Sequence, residues 1–417
     1  MQTHLAPEYQ GTPDGLAAEA ILRKCVHCGF CTATCPTYQL LGDELDGPRG
    51  RIYLMKQVLE GAEPTRATQL HLDRCLTCRN CESTCPSGVD YGHLVDIGRK
   101  LVDAKVPRPL GEQALRWALK EGLPSPLFAP AMRLGQLLRP LLPASLQNKV
   151  PAQQNAGTWP SRSHARKVLL LAGCAQPSMA PNIDTATARV LDAAGIQCLV
   201  VPKSGCCGAV KFHLNDQDGA RAQMRANIDA WWALIAPGSD SGVEALVMNA
   251  SGCGVTLKDY GHILQDEPAY AAKAARVSAL TRDLSELLPE LVPALRGQLQ
   301  DAPRASLVFH PPCTLQHGQQ LRGGVEQHLA ELGFAVRLAS SESHLCCGSA
   351  GTYSVLNPQL AYQLRDRKLQ NLQPAPSETI ISANIGCITH LQSGTTTPVR
   401  HWVEVLDMAL ATRRSAG

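Results

Sequence analysis

The 417-residue chain is poor in aromatics, which make up 4% of it, and has no apolar stretch near the ~20 residues of a membrane-spanning helix. Runs such as Val168 to Ala172 stop after a few positions, so no helical span is expected. An excess of charge of one sign is missing too: 39 Lys and Arg stand against 36 Asp and Glu, a net charge of +3. That balance argues against the basic field of a nucleic-acid binder, and no nucleic-acid partner is expected. Residues 1–21 carry Glu8, Asp14 and Glu19 and lack both a basic and an apolar signal region, so the cytoplasm is the expected compartment. No G-x-G-x-x-G fingerprint stands at a strand-to-helix turn, which removes the usual dinucleotide site from this chain.

Hydrophobic residues at 44% and charged residues at 18% describe a chain that folds, and its length exceeds one compact core. The conspicuous abundance is cysteine, 17 residues in all. In a reducing compartment such a number points to metal ligation or redox chemistry rather than to disulfides.

Eight cysteines form two runs of the pattern C-x2-C-x2-C-x3-C-P, the bacterial spacing for cubane iron–sulfur clusters. Three closely spaced thiolates converge on one cube, while the fourth, stiffened by the following proline, points to the other cluster. The expected ligand sets are therefore Cys25, Cys28, Cys31 and Cys85 for one [4Fe–4S] cluster, and Cys75, Cys78, Cys81 and Cys35 for the second. Gly29 suits a loop that brings backbone N–H groups close to sulfur, and Gly88 is a second candidate. Zinc and a redox CxxC pair fit less well, because neither needs the crossed fourth cysteine. Between the runs, Arg49 to Leu59 has helical apolar spacing, with Arg49 and Arg51 placed either to balance cluster charge or as a solvated helix start.

Val106 to Pro160 holds nine of the 29 prolines among short apolar runs, which predicts short broken helices. Within it, Leu127 to Leu146 with Arg133 and Arg139 is expected to pack over the second half of the chain, with an interfacial membrane or partner contact as the alternative. Gln153 to Arg166 reads as a linker.

From Lys167 the chain contains a duplication. In the first copy the strand run Val168–Ala172 precedes Cys174, a helical stretch covers Ile183 to Ala194, Cys198–Val201 reads as a strand before Cys206-Cys207-Gly208, and Ala245–Met248 precedes Cys253. In the second, Leu307–Phe309 precedes Cys313, a helix covers Gly324 to Glu331, Phe334–Leu338 precedes Cys346-Cys347-Gly348, and Thr379–Ser382 precedes Cys387. Alternating strands and helices predict parallel α/β sheets, whose ligands gather beyond the strands' C-terminal ends. Two four-thiol sites follow: Cys174, Cys206, Cys207 and Cys253, and Cys313, Cys346, Cys347 and Cys387. An iron–sulfur cluster of irregular shape, zinc, and a vicinal dithiol or disulfide stay open as occupants. Cys198 is expected to be a small core residue. Of the nearby histidines, His310, His317, His344 and His390, each is expected to be structural, with His317 and His390 first in line for a functional role.

The fold expected is thus α+β multidomain: a helical two-cluster ferredoxin domain (1–105), a Pro-rich connector (106–166), and two duplicated Rossmann-like CCG domains (167–300 and 301–417). The runs CVHCGFCTATCP and CLTCRNCESTCP, the paired CCG copies, GPRGRIYLMK, PCTLQHGQ and PVRHWVEVLD together resemble the glycolate oxidase iron–sulfur subunit family over essentially the whole chain. The architecture is also similar to iron–sulfur subunits of lactate utilisation, anaerobic glycerol-3-phosphate dehydrogenase and heterodisulfide reductase. Heterodisulfide-type repeats end in CxxC, whereas Cys253 and Cys387 each stand alone.

The resemblance implies an electron-transfer subunit of a glycolate dehydrogenase. FAD-bearing partner subunits would oxidise glycolate to glyoxylate, and this chain would pass electrons to quinone or another acceptor, with a peripheral contact at the inner face of the cell membrane. The alternatives are the equivalent subunit of a lactate or glycerol-3-phosphate dehydrogenase, and a thiol–disulfide reductase acting through its CCG sites.

Overall fold

The computed structural model describes residues 1–143, 147, 150–299 and 304–414. The N-terminal part is helical. Helices Pro13–Lys24, Pro48–Leu59, Arg66–Asp73 and Tyr91–Lys105 frame the two cysteine runs, and three of them are capped in the way their sequence announces. Thr12 accepts a hydrogen bond from Gly15 N–H ahead of Pro13, Pro48 opens the second helix, and Thr65 forms a capping box with Thr68. Ile52, Met55, Val58 and Leu59 turn inward at helical spacing and meet Leu94, Val95 and Val102 of the last helix. The fit is close: a Cβ on Gly98 would lie 2.3 Å from Met55 Sδ, so the glycine leaves room for the Met55 side chain against this helix.

The two cysteine runs are related by a local pseudo-two-fold. Each third cysteine sits on a short helix, Phe30–Ala33 or Asn80–Thr84, and these helices touch. Thr34 Oγ1 and Thr84 Oγ1, the residues preceding each fourth cysteine, lie 3.0 Å apart across that axis.

The second half holds two four-stranded, all-parallel sheets. Strands β1 (Arg166–Leu170), β2 (Ile196–Leu199), β3 (Val243–Met248) and β4 (Thr281–Asp283) are ordered β2-β1-β3-β4. Strands β5 (Ser306–Phe309), β6 (Ala335–Leu338), β7 (Glu378–Ser382) and β8 (Val399–His401) repeat that order as β6-β5-β7-β8. The edge strands β4 and β8 go beyond the sequence reading; at three residues each they are too short to show a period. Cys198 lies buried in β2, as expected of a small core residue.

One apolar core runs through both sheets, from Val168, Leu170 and Val247 to Val308, Phe309, Ile380 and Trp402. Each fully buried Leu, Ile or Phe contributes about 1.5–3 kcal/mol, so the copies stabilise each other as one body. Helices Pro181–Ala193 and Trp402–Arg414 seal the seam, with Arg189 forked onto Asp407 at 2.6–3.1 Å.

The connector forms helices Leu110–Gly122 and Phe128–Leu137, with Pro107 and Pro109 ahead of the first and Pro124 and Pro126 after it. It packs over the second half as expected, its first helix against Ala209–His213 and its second against Gln176–Met179, while part of its apolar face stays outside that contact. Gln136 is the buried residue of the second helix and reaches Ser178 O, whereas Leu127, Leu134, Leu137 and Leu141 point to solvent. Leu146, at the end of that expected segment, lies outside the described residues, as does the expected division between 300 and 301. No helix among the described residues is long and apolar enough to cross a membrane.

Candidate redox centres

The first cysteine run folds around a cavity of ≈ 440 Å³, counting its open mouth, lined by Cys25, Cys28, Cys31 and Cys85 and walled by Ile52, Val89 and Tyr91. Burial, with the thiols of Cys25, Cys85 and Cys28 beside it, pushes the Cys31 thiol up to about 11. Cys35, Cys75, Cys78 and Cys81 form a second group: burial pushes the thiols of Cys78 and Cys81 up, with Cys313 and then Cys35 and Cys75 adding to the effect at Cys78, and Cys78 and Cys75 at Cys81. Each fourth cysteine thus stands with the opposite run, the arrangement the local two-fold produces.

Both loops are shaped alike. His27 and Gly29 in the first run, and Thr77 and Arg79 at the same places in the second, have left-handed backbones, with φ from 50° to 88°. For the three non-glycine residues this strain costs on the order of 1–3 kcal/mol each and persists only where the surroundings impose it. One return is visible at Cys75, whose Sγ accepts from Thr77 N–H at 3.4 Å and from Tyr91 O–H at 3.6 Å. Donors aimed at sulfur suit thiolates that carry the charge of a bound cluster. Gly29 has a second constraint, because a Cβ there would meet Arg49 Nη1 at 2.5 Å. Gly88 is also left-handed but faces open space, so its role is conformational.

The two arginines do different things. Arg49 lines the first cavity and forks onto Glu44 at 2.6 and 3.0 Å. Arg51 is buried beside Cys35 and Cys75, donating to His71 O at 2.7 Å and to Thr37 Oγ1 at 3.2 Å. Burial opposes its charge, yet Tyr91, Cys75, Cys35 and Asp46 around it keep its pKa above the usual arginine value.

In each sheet the cysteines gather beyond the strand ends in one order. Cys174 meets Cys206, Cys206 meets Cys207, and Cys207 meets Cys253; Cys313, Cys346, Cys347 and Cys387 follow the same sequence, with Cys313 Sγ 3.7 Å from Cys346 Sγ. The glycine of each CCG turn explains the motif. Gly208 and Gly348 have φ of +97° and +90°, and a Cβ would sit 3.3 Å from Ala220 O in one and 2.5 Å from Ala361 O in the other. Hydrogen bonds from Cys174 and Cys207 hold the Cys206 thiol low, and the same bonds push those two up.

The second row abuts the ferredoxin part. Leu76 packs with Cys313, Cys346 and Tyr353, with Cys78 against them. Across the seam Ser83 Oγ lies 3.0 Å from His317 Nδ1, and Asn80 Nδ2 donates to His344 O at 3.4 Å. The two sheets meet at their own sites, where Ser251 Oγ is 2.7 Å from Thr314 Oγ1 and Gly252 N–H donates to Asn384 Oδ1 at 3.4 Å.

His317 donates from Nε2 to His344 O at 2.8 Å and accepts at Nδ1 from Arg322; burial holds it neutral, with a pKa down at about 4. His390 contacts Ala361 O and stacks on Tyr362. His310 differs. It is buried, neither ring nitrogen has a hydrogen-bond partner among the described residues, and its ring comes together with the thiols of Cys347 and Cys387, all ligand atoms within 4.8 Å of one another. Superposing the repeats by cysteine places Leu171 opposite His310, the sequence signal that marks this position.

The 4Fe-4S dicluster domain model matches residues 21–89, and the cysteine-rich CCG domain model matches 168–258 and 307–392. The chain is 54% identical over 415 residues to the glycolate oxidase iron-sulfur subunit of Escherichia coli K12, covering 98% of this chain and 99% of that protein. It is 29% identical over 406 residues to the probable glycolate oxidase iron-sulfur subunit of Bacillus subtilis, covering 90% of this chain and 89% of that one. Lactate utilization protein A of Bacillus subtilis is 25% identical over 252 residues, 58% of this chain and 99% of that protein.

Proposed function

The chain belongs to the glycolate oxidase iron–sulfur subunit family, and from that membership we propose that it carries electrons away from FAD-bearing partner subunits that oxidise glycolate to glyoxylate, and delivers them to quinone or another acceptor. Two [4Fe–4S] clusters, held by Cys25, Cys28, Cys31 and Cys85 and by Cys75, Cys78, Cys81 and Cys35, supply one-electron acceptor and donor capacity when bound.

The observation that carries the proposal is a succession of thiols: Cys81 of the second group also lines the first cavity, and Cys78 packs with Cys313 and Cys346 of the second sheet. This chain's residues fix the spacing, exclude water and set the charge. Arg51 places a buried positive charge against Cys35 and Cys75, which favours the reduced, more negative state of a cluster there. Leu76 and Tyr353 seal the seam that electrons would cross toward the CCG half.

Burial of Cys207 and Cys347 weighs against thiol–disulfide exchange, which needs an accessible thiolate. The solvent-facing leucines of the connector support a peripheral contact with the inner face of the membrane.

The test is electron paramagnetic resonance on the anaerobically purified complex before and after glycolate, with lactate for comparison. Reduced-cluster signals with glycolate alone are expected. Signals with lactate alone would move the chain to the lactate branch, and silence with both would remove the electron-transfer reading.

A further inference from the structure

The two CCG sites share a backbone plan but differ in chemistry. The registers Leu170↔Val247 and Phe309↔Ile381 make Leu170 the counterpart of Phe309, and hence Leu171 the counterpart of His310. The cysteines agree, since Cys174 and Cys313 each stand four residues on from those strand positions. A second pair follows from the glycine turns. Ala220 O and Ala361 O face the two CCG glycines, and seven residues later the equivalent helices carry Asn227 and Lys368.

In the first copy Leu171 packs with Cys206 and Cys207 in an apolar core, and Asn227 donates to Cys206 O at 2.8 Å. That site offers four sulfurs, with Leu171 and the neutral Asn227 at the two positions. In the second, Lys368 is buried, donating to Glu342 O at 2.6 Å and facing Cys346, Cys347 and Cys313. His310, at 1% exposure, is held by its backbone alone: its N–H donates to Ile381 O at 2.8 Å and its carbonyl accepts from Ser382 Oγ at 3.0 Å. A buried imidazole without a hydrogen bond is costly, by about 1–3 kcal/mol, and a buried ammonium beside thiols suits those thiols best as thiolates.

We propose that His310 is a metal ligand, and that the second CCG site is a mixed imidazole–thiolate centre in which His310 acts with Cys347 and Cys387 and with Cys346 next in the row, for zinc or for iron. The spacing agrees. Around a tetrahedral ion with metal–sulfur bonds of about 2.3 Å, ligand sulfurs lie about 3.7 Å apart, and the three ligand atoms here already fall within 4.8 Å of one another. Nitrogen with sulfur is a donor set for zinc and iron. Lys368 offsets the anionic charge that such thiolates bring. The inference rests on the chain's own residues and is independent of the substrate that feeds the complex.

The test uses the full chain within its purified complex, with zinc and iron counted per chain. Metal beyond the about eight irons of two [4Fe–4S] clusters is expected in the wild type. In His310→Leu, which copies the first site, that extra metal should be lost while the ferredoxin signals persist. Zinc-edge absorption on the wild type should give a shell of sulfur and nitrogen if the ion is zinc. Pulsed resonance after 15N-histidine labelling should show a histidine coupling if it is iron. Full retention of extra metal in His310→Leu, no metal beyond eight irons in the wild type, or a shell without nitrogen would each overturn the proposal. Intact ferredoxin signals in those cases leave the electron-transfer reading standing.

Discussion

Arg51 and Asp46 face each other at 3.5 Å with both side chains 1% exposed, the most deeply buried ion pair of the ferredoxin part. Asp46 is also met by His71 Nδ1 at 3.1 Å and Arg74 Nη1 at 2.8 Å, so its charge is shared among three partners. Arg51→Met removes the partner that also touches the surroundings of Cys35 and Cys75. Breaking a buried pair from one side costs about 3–5 kcal/mol, and the two remaining partners should hold the loss to the lower part of that range. The same change should lower the reduction potential of the second cluster and leave the first unchanged. Thermal unfolding and a potentiometric resonance titration would check both; an unchanged second potential would show that Arg51 serves only Asp46.

Crossed ligation makes a prediction that sequence order alone does not. Cys28→Ser and Cys85→Ser lie 57 positions apart yet should abolish the same resonance signal, whereas Cys35→Ser should abolish the signal lost in Cys78→Ser. Thr34 and Thr84 at the pseudo-two-fold hold the fourth cysteines in that exchange. If Cys85→Ser instead matched Cys78→Ser, each run would ligate its own cube.

The cysteine framework was legible because spacing along the chain fixes which thiols converge. The repeat was legible because its strands and its CCG turns recur in order, and Gly348 shows why the third letter is glycine. Other features depend on contacts that spacing does not encode. Arg51 and Arg49 are two residues apart on one helix, and only packing separates a buried cation from a cavity-wall residue paired with Glu44. Sequence puts His317 and His390 ahead of His310 for a functional role, yet each of those two is hydrogen-bonded to a backbone carbonyl, whereas the ring of His310 has no such partner among the described residues. The connector's leucines have ordinary helical spacing, and nothing local says whether that stripe faces the protein or away from it.

The ferredoxin part docks on the first sheet through His93, which stacks on His262 at 4.0 Å between centroids and lies 3.7 Å from Asp259, the partner of Arg79 at 2.8 Å. Burial disfavours the charged form of each, but Asp259 raises His93 above its ordinary pKa, and His93 and Arg79 bring Asp259 down to about 2. A raised histidine stabilises the fold fully below its unfolded value of ~6.5 and loses that contribution as pH climbs through its folded value. The Asp259 contribution is present above ~4 and lost toward pH 2. His262 is lowered by burial and by His93, so it acts in the opposite direction near neutrality; Asp96 and Asp90 also face this cluster. A comparison with His93→Phe leaves His262 common to both proteins. The melting-temperature advantage of wild type over the variant should be largest between pH 4 and 6 and shrink above pH 6.5. A constant difference across that range would mean that the ring's packing, rather than its charge, holds the seam.

Leu127, Leu134, Leu137 and Leu141 recur at helical spacing on the outer side of the connector, with Leu137 73% exposed and Leu141 82% exposed. Apolar side chains left in water carry an unrealised burial of about 1.5–3 kcal/mol each, and Arg133 beside them adds a cation suited to anionic headgroups. Leu134→Glu with Leu137→Glu removes this face without touching the core, so iron content and unfolding temperature should stay at wild-type values. Flotation of the purified complex with vesicles containing anionic phospholipid should fall several-fold in the double variant and weaken with salt for both proteins. Equal flotation of the two would place the membrane contact elsewhere, and loss of the flavin subunits from the double variant would make the stripe a surface between subunits.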